Sequence, residues 1–252
     1  MTASSTTRKP SVDLDGLTVA LQPVLNLRTG AVHGFEALLR GPEGGDVNPP
    51  ALFRRARREG WHEALEYRAR ELALQAAHRH LHDKEILFLN GDANYPIDNS
   101  CYPHLVLEIN EARNLDKRAL SRLQNDGLEL YLDDYGVSHG NLSRLLEVRP
   151  SGIKVDREII QGVSRDPRRY MIAKALASLA ENLGIAIVAE GIETAEDLAA
   201  VRGVGFGFGQ GYFLGRPTLV PDRPRLRELT VALHKTRAAT PYRATFDVAV
   251  MS

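Results

Sequence analysis

Cysteine is nearly absent: Cys101 is the single one in 252 residues, which excludes an intramolecular disulfide and any cysteine-rich zinc centre and suits a reducing compartment. Net charge is missing as well. Lys plus Arg and Asp plus Glu number 32 each, so no global field asks for a nucleic-acid or membrane partner. Long apolar runs are lacking, since none approaches the roughly 18 residues of a membrane span, and the opening MTASSTTRKPS has no apolar core such as a secretory signal carries. No internal repeat is visible. The expectation is a soluble, cytoplasmic protein with neither DNA, RNA nor a membrane as partner.

What is present is a 43% apolar chain whose length fits one α/β barrel or two smaller domains. LTVALQPVLNLRTGAVHGFEALLR reads as two strand-like runs joined by LRTG, so the first pair is expected to be an antiparallel hairpin turning at Gly30. From Pro49 to about Leu81 apolar residues recur at three- and four-residue steps, predicting helix with a break near Gly60. Downstream, the short apolar runs EILFLN, LVLEIN, LELYLDD, SGIKVD, IAIVAE and GFGFGQGYF alternate with helix-length amphipathic stretches. Strands separated by helices imply right-handed βαβ units and a parallel sheet, and seven or eight such units in one domain suggest a (β/α)₈ barrel.

The short apolar runs share a second property: nearly all end in a residue able to hold a cation, a phosphate or a water. Glu36 follows VHGF, Asn90 closes ILFL, Glu108 sits in LVLEI, Asp133 and Asp134 close LYL, Lys154 and Asp156 close GIKVD, Glu190 closes IAIVA, and Gln210 follows the last glycine-rich run. In a barrel the strand C-termini share one face, where these side chains would converge. Asp133-Asp134 alone would be read as a turn signal; in this company it becomes half of a metal site. Glu36, Asn90, Glu108 and Asp133 are oxygen donors, the class suited to Mg²⁺, Mn²⁺ or Ca²⁺ rather than zinc. Asp134 could bridge to a second ion. Two such ions suit phosphodiester hydrolysis, with Lys154 and Arg40 adding charge against phosphate and Glu190 accepting a proton from water.

Read as phrases, LQP, EALLR, FLN, LEINE, YLDDYG, IKVD, AEGIET and GFGQGYFLGRP resemble, in this order and spacing, the EAL domain family of cyclic di-GMP phosphodiesterases, over roughly residues 17 to 220. The resemblance implies a modified TIM (β/α)₈ barrel with one antiparallel strand, spanning residues 15–235 between a disordered tail (1–14) and a C-terminal extension (236–252). It implies Mg²⁺- or Mn²⁺-dependent hydrolysis of cyclic di-GMP to linear pGpG. By position, Glu36, Asn90, Glu108 and Asp133 would be metal ligands, with Asp134 serving a second ion; Lys154 and Glu190 would handle the attacking water. Gln22, Arg40, Asp156, Glu193 and Gln210 would surround or support the substrate, and Glu111 would anchor the loop after the paired aspartates. A homodimer is implied too, and a separate regulatory protein is allowed for.

Two stretches depart from the family pattern. Where the family usually reads Asp-Asp-Phe-Gly-Thr-Gly-Tyr-Ser-Ser, this chain has Val137 for a hydroxyl donor and Ser138 for a glycine, followed by His139, Gly140 and Asn141. That leaves an alternative, a cyclic di-GMP receptor with weak or no turnover. LNGDANYPIDNSCYPHLVLE is a shorter connection after Asn90 than the family's, implying a truncated or missing helix. Elsewhere, His78, His80 and His82 read as a solvated helix end, Arg54 to Arg58 as a solvated helix face, and GVGFGFGQG is not a dinucleotide fingerprint, because no helix opens from it. A pure interaction scaffold would have no physical reason to collect acids at strand ends.

Overall fold

The computed structural model describes residues 9–41, 48–95, 97, 99–110, 116–136 and 142–236. Eight strands close into a barrel in sequence order: β1 (Thr18–Asn26), β2 (Val32–Arg40), β3 (Ile86–Asn90), β4 (Leu105–Asn110), β5 (Glu129–Tyr135), β6 (Gly152–Val155), β7 (Ala186–Ala189) and β8 (Phe208–Gly209). The expected hairpin is there. β1 runs antiparallel to both β2 and β8, and every other neighbouring pair is parallel. Gly30 makes the turn at φ +75°, and a Cβ there would come within 2.9 Å of Leu233. Only glycine satisfies both conditions without strain.

The helices are α1 (Pro49–Glu59), α2 (His62–His80), α3 (Lys117–Asn125), α4 (Ser143–Val148), α5 (Arg157–Ile160), α6 (Pro167–Leu183), α7 (Ala195–Val204) and α8 (Arg223–Thr236). Their limits follow from local chemistry. The break predicted near Gly60 is a left-handed C-cap at φ 83°, and α6 begins where the Asp166 side chain accepts from the backbone N–H groups of Arg168 and Arg169 and ends on Gly184 at φ 68°; a cap of that kind is worth about 1 kcal/mol. Between β3 and β4 the described residues contain a single 3₁₀ turn, Asn99–Cys101, in keeping with the shortened connection. Two helices were not anticipated: α5, one turn long, and α8, whose Thr230 hydroxyl donates to the Gly30 carbonyl at 2.7 Å.

The core has two compartments. The larger lies between the barrel and its helices, and Val12 and Leu14, within the stretch expected to be a tail, pack against it. The smaller fills the barrel interior: Val24, Phe88, Val106, Tyr131 and Val188. A Cβ on Gly152 would meet the Tyr131 ring at 2.5 Å, so the missing side chain of β6 makes room for the large one of β5. No described helix is long and apolar enough to cross a membrane. Arg54, Arg57 and Arg58 are exposed along α1, and His78 is exposed at the end of α2, as expected.

Candidate active site

Alternation along the strands builds the site directly on the apolar floor of the barrel. Side chains of a strand point the same way every second residue, and two positions beyond Phe88, Val106, Tyr131, Gly152, Val188 and Phe208 stand Asn90, Glu108, Asp133, Lys154, Glu190 and Gln210. β1 runs the other way, so its polar partner to Val24 lies two positions earlier, at Gln22. One polar layer therefore caps one apolar layer at the C-terminal mouth, where barrel enzymes keep their chemistry.

Lys154 is the hub of that layer. Its ammonium, 1% exposed, lies 2.7 Å from Glu190, 2.8 Å from Glu108, 3.1 Å from Glu36 and 3.5 Å from Asp133. Burial works against its charge, but the four carboxylates hold it protonated well above the ordinary lysine value. One ammonium against four carboxylates leaves three negative charges uncompensated if all ionise, and proton affinities show the surplus. Burial, reinforced by Glu36, pushes Glu108 well above the usual carboxylate range. Burial raises Asp133 too, and lifts Glu190 to about 8 against the pull of Lys154. Glu36 is the exception: burial raises it, but Lys154 and hydrogen bonds from Gln210 and Asn90 bring it below its ordinary value.

The two adjacent aspartates reach the same space through a backbone irregularity. In a regular strand Asp133 and Asp134 would face opposite sides; here Asp134 sits at φ 55°, and the β5–β6 register shifts between Leu132 and Tyr135. A left-handed residue in a strand re-aims its side chain, and Asp tolerates that conformation better than most. Asp133, Asp134 and Glu190 consequently each bring a carboxylate oxygen within 4.8 Å of the others. Burial, then the charges of Asp133 and Asp156, lift Asp134 to about 7, while its Oδ2 accepts from Asn110 Nδ2 at 2.6 Å.

Hydrogen-bond accounting indicates what is wanted there. Both oxygens of Glu108, Asp133 Oδ1 and Gln210 Oε1 are buried and short of hydrogen-bond donors; Lys154, 2.8 Å from Glu108 Oε1 and 3.5 Å from Asp133 Oδ1, is shared among four carboxylates. Buried acceptors left unsatisfied are costly, and four that converge on a surplus of negative charge match a hard divalent cation with oxygen ligands. The residues fit such an ion.

Beside this layer opens a cleft of about 330 Å³ lined by Gln22, Asp134, Asp156, Glu190, Glu193 and Gln210, together with Arg157, Gln161, Gly191, Gly211 and Tyr212. Gln22 donates to the Gly215 carbonyl and accepts from Gln210 at 2.9 Å, so the two carboxamides are locked together. Asp156 also caps α5 through the Glu158 N–H, and Glu193 accepts from Gln161 Nε2 at 3.0 Å. Arg40 is placed differently: it ends β2 and donates to its own neighbour's carbonyl, Leu39 O, at 2.9 Å, and it does not line this cleft. Glu111, Val137, Ser138 and His139 lie outside the described residues. Sequence reasoning missed Asn110, although its position two residues after Glu108 places it on the same face of β4. It also missed Arg157, Gln161 and Tyr212, which lie on loops or a helix end and carry no strand periodicity to betray them.

Fold and site together define a (β/α)₈ barrel with an acidic cluster of oxygen donors at the mouth that could hold a metal ion. The chain belongs to the EAL domain family, whose model matches residues 7–217. It is 30% identical over 227 residues to the probable cyclic di-GMP phosphodiesterase PdeG of Escherichia coli K12, covering 80% of this chain and 44% of that protein. It is 29% identical over 229 residues to the cyclic di-GMP phosphodiesterase NbdA of Pseudomonas aeruginosa, covering 81% and 29%. The chain thus spans less than half the length of these relatives. Among solved structures it resembles Klebsiella pneumoniae BlrP1 in its calcium and cyclic di-GMP complex, with a TM-score of 0.72 at 25% identity over 84% of this chain and 58% of that one. It also resembles the phosphodiesterase PaMucR in complex with cyclic di-GMP, with a TM-score of 0.70 at 25% identity over 81% and 92%.

Proposed function

We propose that this chain hydrolyses cyclic di-GMP to linear pGpG, with Glu36, Asn90, Glu108 and Asp133 holding one divalent cation, Mg²⁺ or Mn²⁺, and Asp134 serving a second. The observation that carries this reading is the set of buried acceptors on Glu108, Asp133 and Gln210 that are short of hydrogen-bond donors, with one lysine shared among a carboxylate surplus. The relatives named for cyclic di-GMP supply the substrate. Cations bound there would neutralise phosphate oxygens and acidify water. The chain's own residues do the rest. Glu190 accepts the proton of the attacking water, and Lys154, 2.7 Å away, favours the ionised form that a base requires. Gln22 and Gln210 hold one wall of the cleft rigid, and Arg157 offers positive charge to a phosphate at its edge.

Incubation of the purified chain with cyclic di-GMP and Mg²⁺ or Mn²⁺, followed by chromatography, should yield pGpG. Absence of product with both metals at high enzyme concentration removes the catalytic claim. A second reading, a cyclic di-GMP receptor, is favoured by Val137 and Ser138 in the loop after Asp134. Calorimetric binding without turnover, with turnover restored by Val137→Thr plus Ser138→Gly, would establish it. The proposal includes a cytoplasmic location and a homodimer, the dimer supported by the exposed apolar Leu142, Leu146, Met171 and Ile172 around α4 and α6.

A further inference from the structure

Along the inner face of α2, His62, Glu66 and Arg70 succeed one another at four-residue steps, and all three are buried. The Glu66 carboxylate lies 3.5 Å from His62 Nε2 and 3.9 Å from Arg70 Nη2. Three polar side chains on the buried side of a helix cost desolvation energy, and their contacts show what they hold. Arg70 Nη2 donates to the Asp92 carbonyl at 2.9 Å and Nη1 to the Tyr95 carbonyl at 3.2 Å, while His62 Nδ1 lies 3.2 Å from the Tyr95 hydroxyl. A planar guanidinium spanning two carbonyls fixes a backbone in a way that a single ammonium cannot.

The segment so fixed begins at the residue after Asn90. Asn90 is exposed at the barrel mouth; its Nδ2 donates to Glu36 Oε1 at 2.6 Å, a bond that does not use the carboxamide oxygen. Glu36 thus holds one end of the carboxamide, and the backbone from which the side chain projects, bonded on through the Gly91 N–H to the Glu108 carbonyl at 3.2 Å, sets the other. Gly91 lies directly on the clamp: a Cβ there would sit 2.9 Å from Leu107 Cδ1 and 3.3 Å from Arg70 Nη2. Atoms of His62, Glu66 and Asp92 also approach within 4.8 Å of one another, a spacing open to a metal ion. The Arg70 guanidinium already stands beside Glu66 as counter-charge, so the cluster reads as a clamp.

We infer that Arg70, tensioned by Glu66 and His62, is a positioning residue for Asn90, fixing the backbone of residues 91–95 so that the Asn90 carboxamide stays aligned with the cation centre. This rests on the metal reading of the site proposed above. Outer-shell partners of metal ligands alter metal affinity by about 10–100-fold when removed.

Two variants separate clamping from charge balance. Arg70→Lys keeps the positive charge beside Glu66 but loses the fork; Glu66→Met with Arg70→Met removes the buried pair at similar volume. Mn²⁺ binding is measured by electron paramagnetic resonance without substrate, and hydrogen exchange is followed on the peptide spanning residues 89–97. Both variants should fold, bind Mn²⁺ about 10-fold or more weakly, and exchange the amides of Gly91, Asn94 and Tyr95 faster. Placed on Asn90→Ala, Arg70→Lys should weaken Mn²⁺ no further, because the residue through which it acts is gone. Unchanged Mn²⁺ affinity, or an equal loss in the Asn90→Ala background, overturns the inference. A wild-type chain that takes up no Mn²⁺ overturns the metal reading and with it the alignment of Asn90; faster exchange in Arg70→Lys would then still support the clamp, and unchanged exchange would overturn that too.

Discussion

Lys154 Nζ lies 2.7 Å from Glu190 Oε1, deep in the barrel mouth, and Glu36, Glu108 and Asp133 also gather around it. Lys154→Met removes the ammonium that makes this density of carboxylates tolerable. Breaking such a pair costs about 3–5 kcal/mol, so thermal unfolding in a chelator should shift strongly downward. Product formation should fall by at least about 100-fold as base and positioning are lost together. A variant that unfolds and turns over as the parent does would remove Lys154 from the centre of the site.

The same surplus sets a pH dependence. In the cation-free chain burial lifts Glu190 to about 8 and Asp134 to about 7, above their unfolded values, so the folded state binds protons more tightly than the unfolded one. Stability from these groups is fully present below the ordinary carboxylate range and is lost as pH rises through 7 to 8. Melting temperature in a chelator should therefore decline from pH 5 to pH 8.5, and saturating Mn²⁺ should raise it more at pH 8 than at pH 6, where protons compete for the same oxygens. A melting temperature that climbs over this range would contradict the assignment.

Asp134 stands against Asp133 and Asp156 in a left-handed conformation. Asp134→Asn keeps the conformation accessible and removes a like charge, so the cation-free protein should become more stable by about 1 kcal/mol. Turnover should nevertheless drop by 10-fold or more. Calorimetric unfolding beside a product assay tests both halves, and a destabilised, fully active variant would refute both.

Gly152 makes room for the ring of Tyr131, 2.5 Å from where a Cβ would lie. Gly152→Ala should destabilise the barrel by about 1–3 kcal/mol through overpacking and disturb Lys154 two residues later. Adding Tyr131→Leu should restore most of the loss, as read by urea unfolding. Equal stability of Gly152→Ala and the parent would show that the interior has slack.

Much of this site could be read from the sequence because strand alternation is local. Glu36, Asn90, Glu108, Asp133, Lys154, Glu190 and Gln210 were legible as polar ends of apolar runs, and barrel closure then brings such ends together. Asp134 was legible as a neighbour of Asp133, yet its access to the cleft depends on a positive φ and a register shift that no propensity announces. Arg40 was legible as a charge near the mouth, and the fold turned its guanidinium toward the Leu39 carbonyl. Asn110 escaped notice because its partner, Asp134, lies on the next strand, and Arg157 and Tyr212 because they line the cleft from outside the strands, where no alternation marks them.

The sequence by itself determined the alternation of strands and helices, the antiparallel opening hairpin, the oxygen-donor chemistry of the strand ends and the family, since all of these are written in short-range pattern and order. Only the tertiary structure decided how many carboxylates share one lysine, which of them burial pushes above the usual carboxylate range, and that a buried ladder on α2 grips the backbone beside Asn90. Charge surplus and burial belong to the assembled barrel: a carboxylate acquires an unusual pKa from its neighbours in space and its distance from water, and neither exists until the chain has closed.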